Sequence, residues 1–78
     1  MWNISKINNT IQFKNDEKES VFAFPIGKVW FLVNRENNAS IDVKLGASRQ
    51  TVISFNYDDC NLAGQTAYET LNNIIAII

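Results

Sequence analysis

The sequence predicts an α+β protein: an antiparallel meander of five or six strands with one C-terminal helix packed on one face. Between about residues 2 and 57, apolar residues recur at every second position, and β-branched and aromatic types dominate. Between about residues 62 and 77, the apolar spacing changes to the three- and four-residue period of an amphipathic helix. Because 78 residues have room for one hydrophobic core, we expect a single domain over residues 1–78.

Short polar segments divide the first part of the chain into strands. Asn8 and Asn9 predict a tight hairpin, since asparagine tolerates positive φ. Residues 15–19, an asparagine followed by four charged residues, predict a solvated loop. Pro25 marks an edge, a bend or a connection, because proline cannot donate to a β-ladder. Further turns are predicted at residues 35–38 and 46–49. The predicted strands are residues 2–7, 10–15, 21–24, 28–34, 40–45 and 51–57.

The C-terminal segment carries the clearest change of period. Thr66 and Glu69 have the spacing of a capping box, which predicts a helix start at that point. Asn61 would instead cap an earlier start, so both starts remain open from the sequence. The stripe predicted to face the sheet is Ala63, Ala67, Leu71, Ile74, Ile75 and Ile78, with Tyr68 at its edge.

The strand predicted at residues 28–34 is apolar on both faces. Val29, Phe31 and Val33 fill one face. Trp30 and Leu32 fill the other. One helix covers one face of a sheet, so the large side chains of the second face need another environment. Either the sheet curls and buries both faces itself, as small barrels do, or the second face is a subunit interface. The interface candidates are Trp30, Leu32, Phe22 and Phe24.

The sequence contains no recognisable catalytic or metal-binding motif. The absence of histidine removes histidine base catalysis and the Ser-His and Cys-His nucleophiles. Cys60 follows Asp58 and Asp59, whose negative charges disfavour a thiolate. Residues 59–64 resemble only the first half of a calcium-binding EF-hand loop, with Ala63 at its fifth position. We therefore expect a protein that is not an enzyme, with no catalytic residue, cofactor, metal or small-molecule substrate.

The charges are balanced and dispersed. Seven Lys and Arg residues against eight Asp and Glu residues give a net charge of -1, and the basic residues form no stripe along the chain. The chain contains no apolar run of the roughly 18 residues that cross a bilayer, and its start lacks the pattern of a signal peptide. We expect a cytoplasmic protein with no membrane association.

Two segments carry a resemblance to a known group of proteins. Residues 24–29, Phe-Pro-Ile-Gly-Lys-Val, lead into the second half of the predicted meander, and residues 67–71, Ala-Tyr-Glu-Thr-Leu, lie in the predicted helix. In these features the chain resembles small phage-encoded proteins that have a β-meander and a short C-terminal helix. The resemblance implies a virion or assembly component, located in the host cytoplasm and the virion, and it assigns no role to any single residue.

Two function classes follow from these features. The first is a structural or interaction protein that forms a homo-oligomer or binds a protein partner through the face of Trp30. A partner-bound regulator would have the same sequence features. The alternative is a single-stranded nucleic-acid-binding module, because the order of strands and helix is similar to that of the PC4-like dimers and aromatic side chains on a sheet stack on bases. Its stacking platform would be Trp30 with Phe22 or Phe24, and its phosphate ligands would be Lys28, Lys44 and Arg49. The net charge of -1 argues against this alternative, since such binding depends on a positive groove.

Overall fold

The structure is a computed structural model that describes residues 1–36 and 39–78. Part of the turn predicted at residues 35–38 therefore lies outside the described residues. The strands are β1 (Trp2–Ile7), β2 (Thr10–Asn15), β3 (Ser20–Pro25), β4 (Val29–Asn34), β5 (Ser40–Leu45) and β6 (Gln50–Phe55). A 3-10 turn, Ile26–Lys28, links β3 to β4, and the helix α1 spans Ala67–Ile77. The class is α+β, with six antiparallel strands and one C-terminal helix in the described chain.

The strands form two three-stranded sheets, ordered β1-β2-β3 and β4-β5-β6, where the sequence predicted a single meander. Each sheet is a meander of consecutive strands, and the division falls at the link between β3 and β4. Pro25 ends β3 with a φ of -58°, and the 3-10 turn follows it in place of a hairpin turn. The turn is held from both sides, since Ile26 N–H donates to Asn9 C=O at 2.9 Å and Gly46 N–H donates to Lys28 C=O at 2.9 Å. Chain direction thus changes without β3 pairing to β4.

The two sheets share one hydrophobic core. Phe13 in the middle of the first sheet is fully buried, and its ring centroid lies 6.2 Å from that of Phe31 in the second sheet. Trp2 and Phe55 make a second contact between the sheets, also at 6.2 Å. Apolar side chains on alternate positions of both sheets therefore face each other. The buried apolar residues are Trp2, Ile4, Ile11, Phe13, Ile41, Val43, Ile53, Phe55, Cys60, Ala67 and Ile74.

The segment after β6 returns to the first strand and covers its outer edge. Trp2 N–H donates to Asp59 C=O at 2.8 Å, and Asn61 N–H donates to Trp2 C=O at 2.9 Å. The Asn61 side chain continues this pairing, because its Oδ1 accepts from Ile4 N–H at 2.8 Å and its Nδ2 donates to Ile4 C=O at 3.4 Å. The chain following one sheet is thereby hydrogen-bonded to the edge of the other. Asn61 serves this role and does not cap the helix.

The helix begins at Ala67, the later of the two starts that the sequence left open. Thr66 is the N-cap, and its Oγ1 accepts from Glu69 N–H at 3.1 Å, as the capping box predicts. Glu69 Oε2 accepts from Gln65 N–H at 2.9 Å, which satisfies a donor in the preceding turn. The helix contacts β1 of one sheet and β4 and β5 of the other, so it spans both sheets. Within residues 1–36 and 39–78, no helix has the length and apolar character needed to span a membrane.

Candidate interaction surface on β4

The outer face of β4 carries two large apolar side chains in contact with solvent. Trp30 is 47% exposed and Leu32 is 53% exposed. Val29, Phe31 and Val33 alternate with them and are more buried, as the two-residue period of a strand requires. The curled sheet therefore does not bury both faces of this strand. We call the outer side chains of Trp30 and Leu32 the β4 surface.

Phe22 and Phe24 lie on the inner face of the first sheet, away from the β4 surface. Phe22 is paired with Phe13, and its ring centroid is 6.2 Å from that of Trp2. Phe24 is paired with Ile11, and its ring centroid is 6.2 Å from that of Phe13. Both rings pack against the buried core. The structure thus corrects the expectation that these two phenylalanines share an exposed face with Trp30, because their cross-strand partners are core residues.

Positive charge surrounds Trp30. The guanidinium carbon of Arg49 lies 4.4 Å from the centroid of the Trp30 ring, within cation–π distance. Lys44 is paired with Trp30 across β4 and β5, and its Nζ donates to Thr51 Oγ1 at 2.9 Å. Lys28 lines a groove beside Trp30 together with residues of the β5–β6 turn. Three of the seven basic residues thus lie around one exposed indole.

The position of Arg49 depends on an unusual backbone conformation. Its φ is 52°, in the left-handed region that costs a non-glycine residue about 1–2 kcal/mol. Arg49 N–H donates to Gly46 C=O at 3.1 Å, and Gly46 also has a positive φ of 73°. The turn between β5 and β6 therefore directs the Arg49 side chain back over β4.

A polar network lies beside Leu32 on the same outer face. Asp42 is paired with Leu32 and is only 7% exposed. Its carboxylate accepts from Ser54 Oγ at 2.7 Å and from Asn34 Nδ2 at 3.2 Å. These bonds connect all three strands of the second sheet. The outer face is consequently polar at its centre and apolar at the β4 edge.

A second exposed apolar pair lies on one flank of the helix. Tyr68 is 50% exposed and Ile75, two turns later, is 51% exposed. Arg35, which directly follows β4, donates from Nη2 to the Tyr68 hydroxyl and lies 5.1 Å from the ring centroid. Ala63 and Ile75 belong to the stripe predicted to face the sheet, and the structure exposes both. The buried face instead includes Thr70, whose hydroxyl donates to Thr66 C=O at 2.9 Å and accepts from Gly64 N–H at 2.8 Å.

Cys60 is a buried thiol. It is 4% exposed, and its Sγ donates to Tyr57 C=O at 3.6 Å. Burial raises the pKa of the Cys60 thiol, and the nearby carboxylates of Asp59 and Asp58 raise it further. Both effects favour the neutral thiol over the reactive thiolate. In the described ranges, no three or more Cys, Asp or Glu side chains come together in a group that would hold a metal ion.

Comparisons of the chain with protein-family models, with curated proteins and with solved structures find no significant match.

Proposed function

We propose that this is a non-catalytic structural or interaction protein that self-associates, with a second copy of the chain bound at the β4 surface. The observation that carries this function is the exposure of two large apolar side chains, Trp30 at 47% and Leu32 at 53%, on one face of an edge strand. Exposed apolar groups of this kind mark sites of protein contact, and tryptophan is enriched among the residues that dominate interface energies.

The free energy gained by burying Trp30 and Leu32 is to be compared with the free-energy cost of association. Full burial of a large apolar side chain contributes about 1.5–3 kcal/mol, so burying the exposed halves of Trp30 and Leu32 contributes about 1 kcal/mol each. Two copies bury four such side chains, which gives about 4 kcal/mol in total. Association costs about 4–15 kcal/mol in lost translational and rotational freedom. Further contacts are therefore needed beside the β4 surface.

A second copy of the chain is the occupant that the charges favour. None of the six residues of β4, Val29–Asn34, is charged, so the strand itself places no like charges opposite each other in two copies. The small net charge of -1 adds little long-range repulsion between copies. A chain of 78 residues with a single, buried cysteine has no internal disulfide, and oligomerisation is one of the remaining ways to stabilise so small a core.

The biological setting is a further part of the same proposal. The resemblance to small phage-encoded proteins supports a virion or assembly component in the host cytoplasm and the virion. This part rests on the resemblance alone. Independently of that resemblance, the balanced charge and the lack of a long apolar run support a cytoplasmic protein.

Solution mass tests self-association directly. Light scattering should give a mass above the 8.9 kDa of one chain for the wild type, and the Trp30→Glu variant should return to the monomer. Val21→Glu is the matched control, because Val21 is 56% exposed on the outer face of another edge strand, β3. It should leave the mass of the wild type unchanged. A monomeric wild type, or a Trp30→Glu variant that still associates, would overturn the proposal.

A second candidate function is supported by the cations around Trp30. The indole with Arg49, Lys44 and Lys28 has the chemistry of a site for single-stranded nucleic acid, where a base stacks on an aromatic ring and cations meet the phosphates. Phe22 and Phe24 do not contribute, since both lie on the inner face of the other sheet. Of the six residues named for this alternative, the three cations therefore lie around Trp30, and the two phenylalanines lie apart from it.

Salt dependence separates this candidate from self-association alone. Three phosphate contacts predict that log K for a single-stranded oligonucleotide falls with log salt concentration with a slope of about -2. Arg49→Ala with Lys44→Ala should reduce that slope, whereas Lys6→Ala, an exposed lysine of β1, should not. Absence of retention on a polynucleotide column at low salt would dismiss this candidate.

A further inference from the structure

The two sheets end in four edge strands in the described chain, and three of them are protected. The edge of β1 is hydrogen-bonded to residues 59–61. β3 ends in Pro25, which has no N–H group to donate. β6 has an irregular register opposite Val43 and Lys44, and such a bulge increases the local twist of a strand. These are devices that prevent an edge strand from pairing with another chain.

β4 has none of these three features. Its residues Val29–Asn34 include no proline and no charged side chain, and its register with β5 is regular along all six residues. Its alternating half-buried and exposed positions match those of the edge strand β3, whereas the central strand β5 is mostly buried. β4 is therefore an uncharged edge strand with a regular register.

On the basis of the self-association proposed above, we propose that two copies of the chain pair antiparallel through their β4 edges, with Phe31 opposite Phe31. The result is a continuous six-stranded sheet in the order β6-β5-β4-β4-β5-β6. Val29 N–H already donates to Ile26 C=O. The remaining backbone N–H and C=O groups along this edge supply the contacts that the side chains of the β4 surface lack.

The sequence of β4 selects this register. Side chains alternate with a period of two, so only registers that place outer residues opposite outer residues keep both faces of the sheet intact. With Phe31 opposite Phe31, Trp30 of each copy lies opposite Leu32 of the other. On the inner face, Val29 lies opposite Val33. Every directly opposed pair within Val29–Val33 is then apolar.

Neighbouring registers lose these pairs. A shift of two positions in one direction places Trp30 opposite Asn34, which pairs an apolar ring with a polar amide. A shift in the other direction places Leu32 opposite Lys28, which pairs an apolar side chain with a charge. The register centred on Phe31 is the one that buries Trp30 and Leu32 against each other in both halves of the dimer.

Disulfide trapping tests the register. In a Cys60→Ser background, a mixture of the Trp30→Cys and Leu32→Cys chains should form a mixed disulfide under mild oxidation, because directly opposite residues lie about 4.5–5.5 Å apart. Either variant alone should not cross-link, since the same position in the two copies is then diagonal at about 7–8 Å. Efficient cross-linking of either variant alone, with no mixed disulfide in the mixture, would overturn the proposed register.

Hydrogen exchange of the wild-type chain tests the edge pairing without any substitution at the interface. Amides of residues 29–34 should exchange more slowly as the protein concentration rises through the association range, whereas those of residues 20–24 in β3 should not change. If light scattering shows a dimer while the exchange of residues 29–34 is independent of concentration, the edge pairing is wrong and self-association stands. If the wild type is monomeric at all concentrations, both proposals fail.

Discussion

Asn61 provides the most direct test of how the two sheets are held together. Its side chain accepts from Ile4 N–H at 2.8 Å and donates to Ile4 C=O at 3.4 Å, which takes the place of a neighbouring strand at the edge of β1. We predict that Asn61→Ala destabilises the protein, because both backbone groups of Ile4 then lose their partner. Ile4 itself is 3% exposed, so water reaches these groups poorly.

The expected magnitude follows from the two hydrogen bonds. Each contributes about 0.5–1.5 kcal/mol, and the longer bond at 3.4 Å is the weaker of the two, so we expect a loss of about 1–2 kcal/mol in the free energy of unfolding. For a domain of this size, that loss corresponds to a decrease of roughly 5–15 °C in Tm. The substitution leaves the backbone pairing of Asn61 with Trp2 intact, so the fold should be retained.

Thermal and urea unfolding, followed by tryptophan fluorescence, measure this loss. The measurement belongs in the Trp30→Glu background, because association would make Tm depend on concentration and the remaining Trp2 is 6% exposed beside the segment in question. Asn56→Ala is the matched control, since Asn56 is an exposed asparagine in the same connection. If Asn61→Ala costs no more than Asn56→Ala, the side chain does not hold the edge of β1 and the reasoning is refuted.

Three further predictions concern other parts of the chain. Glu19 has a φ of 51°, so Glu19→Gly should raise the free energy of unfolding by up to about 1 kcal/mol in urea titrations, whereas Lys18→Gly in the same turn should lower it. Thr66→Ala should lower the free energy of unfolding by about 1 kcal/mol through loss of the N-cap, and Gln65→Ala, which keeps the cap, should not. The raised pKa of Cys60 means that the folded state holds the thiol proton more tightly than the unfolded state, so this contribution is complete below a pH of about 8.5 and is lost at higher pH. The urea midpoint should therefore fall less between pH 8 and pH 10 in Cys60→Ala than in the wild type, and an equal fall would contradict the assignment.

The positions of the strands follow from the sequence alone. The predicted strands at residues 2–7, 10–15 and 40–45 agree with β1, β2 and β5, and the other three agree within two residues. Local features produce this agreement, since alternation and turn residues act over a few positions. The helix start at Thr66 is local for the same reason, because its capping box joins residues only three apart. The opposite orientation of Trp30 and Phe31 is likewise a property of any strand.

The side of each strand that faces the core was decided by the tertiary structure. Alternation separates Phe22 and Phe24 from Val21 and Ala23, but only the pairing of β3 with the core strand β2 turns the phenylalanines inward. The division into two sheets has the same origin, since Pro25 was compatible with an edge, a bend or a connection until the contacts of the following turn were known. These outcomes depend on residues far apart in the chain, which a local pattern does not relate.

In the candidate site too, some features follow from neighbouring residues in the sequence and others from tertiary contacts. The sequence alone predicts that the apolar side chains of Trp30 and Leu32 share one face of β4. Their exposure depends on where the helix packs, and the position of Arg49 over Trp30 depends on the φ of 52° in a turn that follows another strand. Sequence thus determined which side chains share a face, and tertiary structure determined which of those faces meets solvent, because burial is set by contacts between segments that are distant along the chain.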